Sequence, residues 1–93
     1  MKLLSIAVPC YNSENYMRKC IDSLLEGGEI VEILIVDDGS SDNTAQIADE
    51  YAAAHPSIVK AIHQENGGHG AAVNTGIQNA TGFYFKVVDS DDW

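Results

Sequence analysis

Ile30-Val31-Glu32-Ile33-Leu34-Ile35-Val36-Asp37-Asp38-Gly39-Ser40-Ser41-Asp42 decides the fold. Residues 30–36 form a nearly unbroken apolar run of strand length, the pattern of a strand covered on both faces. It ends abruptly in two carboxylates and a glycine. The stretch "SSDNT" that follows supplies side chains able to cap a helix, which the spacing of Ile47, Ala48 and Tyr51 carries to about Ala54. A buried strand, an acidic tip and a capped helix make one half of a βαβ unit.

The same grammar repeats on both sides. "LLSIAV" (Leu3–Val8) is a buried strand, expected to stop at Pro9. Ser13 is positioned to cap a helix in which Met17, Cys20, Ile21, Leu24 and Leu25 form one apolar stripe, closed by Gly27-Gly28. "IVKAI" (Ile58–Ile62) is a third strand, Ala71 to Asn79 a third helix, and "FYFKVV" (Phe83–Val88) a fourth strand. The prediction is an α/β, Rossmann-like βαβαβαβ parallel sheet. Right-handed crossovers then bring all four strand C-termini to one edge, where ligands of such sheets bind.

The loops at that edge are "PCYNSE", "DDGSSD", "HQENGGHG" and "DSDDW". All are polar and two are densely acidic, whereas the opposite connections are ordinary turns. In "VVDSDDW" three carboxylates, Asp89, Asp91 and Asp92, fall within four residues. Packed like charges repel unless a cation sits among them. Oxygen ligands of this kind suit Mg²⁺ or Mn²⁺; a solvated turn that caps a following helix is the plainer reading. Asp37 and Asp38 divide similarly: one as a structural acceptor of backbone N–H groups, the other as a contact to a ribose or base. "NGGHGAA" resembles a phosphate-cradling loop but lacks the P-loop lysine, so glycines that merely permit a turn explain it as well. His69 either faces a ligand or is an exposed turn residue, the latter being the plainer reading. Tyr11 and Asn12 would suit stacking and base recognition.

The chain has 93 residues, with five Lys+Arg against fourteen Asp+Glu, a formal net charge of −9. That balance argues against nucleic acid or an anionic membrane as a partner. Cys10 and Cys20 have no metal-knuckle spacing and read as buried thiols of a cytoplasmic protein. No apolar run reaches membrane-spanning length, although a longer parent chain could bring the domain to the inner face of a membrane.

Taken together, "SIAVPCYNSENYMRKCIDSLL", "VEILIVDDGSSDNT", "HQENGGHGAAVNTGIQNATG" and "VVDSDDW" resemble the N-terminal half of an inverting family 2 glycosyltransferase of the GT-A fold. The resemblance covers essentially the whole chain. It implies a nucleotide-sugar donor, most often a UDP-sugar, a divalent metal (Mn²⁺ or Mg²⁺), and an acceptor that is a polysaccharide, lipid or protein glycan. It also implies that Pro9, Tyr11 and Asn12 line the nucleoside pocket. Asp38 would accept a hydrogen bond from the base while Asp37 supports the loop. The terminal cluster would be the D-x-D element, with Asp91 at the metal, joined by Asp89 or Asp92. The family's general base lies beyond this element, so residues 1–93 are expected to be a donor-binding half truncated after D-x-D. Such a half would be inactive alone and would carry an apolar surface that could form a homodimer.

Helix three lacks the arginine that many relatives place before its asparagine, and Lys86 stands where they carry an apolar residue; it would either pair with a carboxylate, the plainer expectation, or reach the pocket. A receiver-type Mg²⁺-binding signalling domain would want its acidic pair after strand one, where this chain reads "PCYN". A non-catalytic α/β module would use the acidic loops for capping and solubility alone.

Overall fold

The structure, a computed structural model, describes residues 2–91. Four parallel strands, β1 (Leu4–Cys10), β2 (Val31–Asp38), β3 (Val59–Gln64) and β4 (Tyr84–Val87), alternate with helices α1 (Met17–Leu25), α2 (Thr44–Ala54) and α3 (His69–Asn79). The sheet order is β3-β2-β1-β4. This is the order of the nucleotide-binding half of a Rossmann-type sheet, not the 2-1-3 order of receiver domains. It reverses between β1 and β4, and the crevice above that switch point is where ligands of open α/β sheets bind.

Side-chain alternation along the strands sorts the core into two layers. Ile6, Val8 and Cys10 of β1 and Val31, Ile33 and Ile35 of β2 pack against Met17, Cys20 and Ile21 of α1 and Ile47 and Ala48 of α2. The other face, which holds Ala7, takes α3. Here Gly76 is required: a Cβ on it would lie 2.6 Å from the Ala7 Cβ. Gly76→Val should push α3 off the sheet and cost about 2–3 kcal/mol, which thermal melts would show as a drop of roughly 10 °C or more. An unchanged melting temperature would mean that α3 docks less closely than described.

Element boundaries follow the sequence reading within a few residues, with three corrections. β1 does not stop at Pro9; it continues to Cys10, with Pro9 opposite Val36. The Ala7 carbonyl accepts the Val88 N–H, so Ala7 and, two residues on, Pro9 turn their bonding groups toward β4. That ladder ends at Ala7 and Val87, so no bond is lost by the missing proline N–H. Ser13 does not cap α1 through its side chain, because the helix begins later, at Met17 after Tyr16. Asp42 lies just before the α2 N-cap, Asn43, and its Oδ1 accepts the Thr44 N–H at 2.9 Å. Finally, α3 begins at His69, so His69 and Gly70 belong to the helix rather than the turn.

At the edge opposite the acidic loops, Glu32 is almost completely buried within β2. Its Oε1 accepts Ser5 Oγ–H (2.8 Å) and Thr81 N–H (2.9 Å), and its Oε2 accepts Thr81 Oγ1–H (3.0 Å) and pairs with Lys60 Nζ (2.9 Å). Burial alone would raise this carboxyl, but the bonds from Lys60, Thr81 and Ser5 outweigh it and hold the group down at about 2. The network stitches β1, β2, β3 and the entry to β4 together at their N-terminal ends. Lys86 makes no ion pair among the described residues, contrary to the expectation that a carboxylate would meet it. No helix among the described residues is long and apolar enough to cross a membrane.

Candidate donor-binding site

Two adjoining clefts open at the C-terminal edge and share Pro9, Tyr11 and His69. The first, of about 260 Å³, is walled by Cys10, Asp38, Asn66, Gly68 and Ala72. The second, of about 320 Å³, lies over the switch point and is bounded by Ser13, Tyr16, Asp89, Ser90 and Asp91.

Asp37 and Asp38 point to opposite faces of the sheet because they are neighbours in a strand. On the α2 side, Asp37 Oδ1 accepts the Ser40 N–H (3.1 Å) and Oδ2 meets His63 Nδ1 (3.0 Å). On the α3 side, Asp38 Oδ1 accepts Gln64 Nε2–H (2.9 Å) and Gly67 N–H (2.8 Å), and Oδ2 accepts Gly68 N–H (2.9 Å). The Gln64 amide, against the opposing effect of burial and helped by the two glycine N–H groups, holds the Asp38 carboxyl below its ordinary value. A carboxylate offers about four acceptor positions, so Asp38 keeps capacity for one more donor. The Gly67 and Gly68 amides are thus committed to Asp38 rather than free for a phosphate. Gly39, at φ +70°, lets the two loops meet; a Cβ there would sit 2.6 Å from the Asn66 nitrogen.

Asn12, with φ +49°, borders neither cleft. Its N–H donates to Ser40 Oγ (3.0 Å) and its Oδ1 accepts the Ser41 N–H (2.8 Å), which ties the β1 loop to the β2 loop. Tyr11, by contrast, is exposed and faces both clefts. Asp89 and Asp91 line the second cleft, with Asp89 Oδ1 4.0 Å from His69 Nε2. The third carboxylate of the sequence pattern, Asp92, lies outside the described residues. Among the described residues no cluster of three metal-ligating side chains forms. Two exposed carboxylates beside a cleft nevertheless fit a hard cation, since Mg²⁺-type sites commonly use one or two carboxylates plus substrate phosphates.

Cys10 and Cys20 are buried thiols that are not joined in a disulfide. Burial pushes the Cys10 thiol up to about 12, which leaves it inert as a nucleophile despite its place in the first cleft. Sequence reasoning missed His63, whose Nε2 also meets Asp49 Oδ1 at 2.7 Å. The carboxylates of Asp49 and then Asp37 raise its pKa above the usual 6.5. A raised folded-state value means that its contribution is full below 6.5 and is lost as pH rises through the folded value. The His63 contribution to melting temperature should therefore decline as pH rises above 6.5, and His63→Gln should flatten that decline. Identical profiles for the two proteins would refute the linkage.

The profile of glycosyl transferase family 2 matches residues 5–93, and the chain belongs to that family. It is 47% identical over 92 residues to the uncharacterized glycosyltransferase EpsJ of Bacillus subtilis, covering 98% of this chain and 26% of EpsJ. Its fold is similar to Staphylococcus aureus TarS 1–349 in complex with UDP-GlcNAc (TM-score 0.83, 35% identity, 98% of this chain and 27% of that one). It is also similar to the mannosyltransferase PcManGT of Pyrobaculum calidifontis in complex with GDP-Man and Mn²⁺ (TM-score 0.86, 27% identity, 97% and 28%). The chain thus spans about a quarter of the length of these proteins.

Proposed function

We propose that this chain is the donor-binding half of a glycosyltransferase that transfers a sugar from a nucleotide-sugar, a UDP-sugar in the first instance, to an acceptor hydroxyl with inversion. The observation that carries the reading is the pairing of the two clefts across Tyr11, one holding Asp38 and the other Asp89 and Asp91. Pro9, Tyr11 and Asp38 would receive the nucleoside, with the remaining acceptor position of Asp38 taking a base N–H. Asp37 and Asn12 would shape the loops. Asp91, joined by Asp89 or Asp92, would hold Mn²⁺ or Mg²⁺. When bound, such an ion offsets the charge of a diphosphate and of the developing leaving group. Without a cation the acidic edge would repel that ligand. The higher identity to the UDP-GlcNAc-bound neighbour than to the GDP-Man-bound one supports uridine.

Half-domain character is supported by the exposed apolar face around β4, where Phe83 is 71%, Tyr84 67% and Ile77 53% exposed. A surface this apolar ordinarily packs against further protein. A general base for the acceptor hydroxyl would come from that further polypeptide. Calorimetric titration of UDP and GDP, each with and without Mn²⁺, tests the reading. Mn²⁺-dependent binding of UDP is expected; a preference for GDP would change the base, and silence with both nucleotides would reject a donor site within these residues.

A further inference from the structure

Ser13 occupies a position that helix capping does not explain. It is buried, and its N–H donates to Thr44 Oγ1 at 2.7 Å, at the start of α2. Its carbonyl accepts the N–H groups of Tyr16 and Met17, both at 3.0 Å, at the entry to α1. Its Oγ accepts the Tyr11 N–H at 3.2 Å and the Ser90 hydroxyl at 2.8 Å. One side chain therefore bonds Tyr11, which borders both clefts, and Ser90, which lies between the two cleft aspartates.

Ser90 contrasts with its neighbours. It is turned inward and nearly buried, while Asp89 and Asp91 are exposed beside the cleft. The Asp89 carbonyl is also held from α1, accepting from Cys20 Sγ at 3.6 Å. A turn pinned at two consecutive residues has little freedom to redirect the carboxylates it carries. Binding sites need support of this kind, because looseness of about 1 Å costs much of the affinity or rate.

We propose that Ser13 is a positioning residue that, through Ser90, fixes the Asp89–Asp91 turn relative to the Tyr11 loop, so that the two clefts keep one spacing. The consequence for ligand binding rests on the donor-site reading above; the link between the loops does not.

Ser90→Ala and Ser13→Ala test it, with Ser90→Thr as the variant that keeps the hydroxyl. In ligand-free amide NMR, Ser90→Ala should shift the Tyr11 and Ser13 resonances and speed exchange of the Tyr11 amide about fivefold or more. In calorimetry well below the melting temperature, both alanine variants should bind UDP with Mn²⁺ about tenfold more weakly. Ser90→Thr should recover affinity to within about threefold of the parent. Shifts confined to residues 88–91 would overturn the proposal, as would unchanged affinity in both alanine variants. If the parent bound no nucleotide yet Tyr11 still answered to Ser90, the donor-site reading would fall and the link would stand. Should Ser13→Ala fail to fold, Ser90→Ala alone decides.

Discussion

Asp91→Asn should lower the affinity for UDP measured with Mn²⁺ by at least about 100-fold, equivalent to about 2.7 kcal/mol, and leave the weak metal-free binding as it was. The chain carries a formal charge of −9, and the second cleft concentrates part of it at Asp89 and Asp91. A diphosphate is expected to bind that edge tightly only with a cation between, so a change that removes one ionic ligand should remove the metal-dependent part of binding. The same substitution relieves repulsion between neighbouring carboxylates, and the folded state should lose no stability. Titration calorimetry and a thermal melt on the same sample separate the two effects. Equal loss of affinity with and without Mn²⁺ would assign Asp91 a direct contact with the nucleotide instead.

Glu32→Ala should be the most damaging single change to the fold, costing about 2–4 kcal/mol and lowering the melting temperature by roughly 10–20 °C. Domains of this size have little stability to lose. The cost comes first from the fully buried Ser5 hydroxyl and the buried strand position left without its carboxylate, more than from Thr81 and Lys60, which are exposed enough to be hydrated. Because the Glu32 carboxyl sits at about 2 in the folded chain against an ordinary 4.5, its contribution is complete above 4.5 and is lost as pH falls toward 2. Asp38 and Asp42 are lowered in the same sense, so acid unfolding should steepen in this window and Glu32→Ala should shed part of the slope. Chemical denaturation between pH 2 and pH 7, run on both proteins, reads this directly. A loss under about 1 kcal/mol would mean that water replaces the carboxylate.

The sheet was legible in the sequence because each strand is a short apolar run and each helix an apolar stripe, so period and length agree. Parallel pairing followed from the alternation, and the acidic edge from the loops. Pro9 misled because the rule that proline ends a strand assumes a neighbour on both sides, and β4 ends before it reaches Pro9. Ser13 misled because a serine ahead of an apolar stripe looks the same whether its hydroxyl caps a helix or bonds a distant turn. Asp38 was legible as a site residue only in part: its place at a strand tip is local, but its three donors come from Gln64, Gly67 and Gly68, which no local pattern ties to it. Glu32 and His63 were invisible for the same reason. Their partners lie on other strands and helices, and a single glutamate inside "VEILIV" carries no sign of the bonds that make its burial tolerable.

The central claim is that the C-terminal edge of the sheet, between the tips of β1, β2 and β4, is the site of a metal-bound nucleotide. Paramagnetic broadening of backbone amide signals on adding Mn²⁺ with UDP maps the ion's neighbourhood residue by residue. The account predicts that broadening centres on Asp89–Asp91, extends to Tyr11 and His69, and spares the Glu32 and Thr81 edge. Broadening centred on the opposite edge, or spread evenly over the acidic surface, would contradict it.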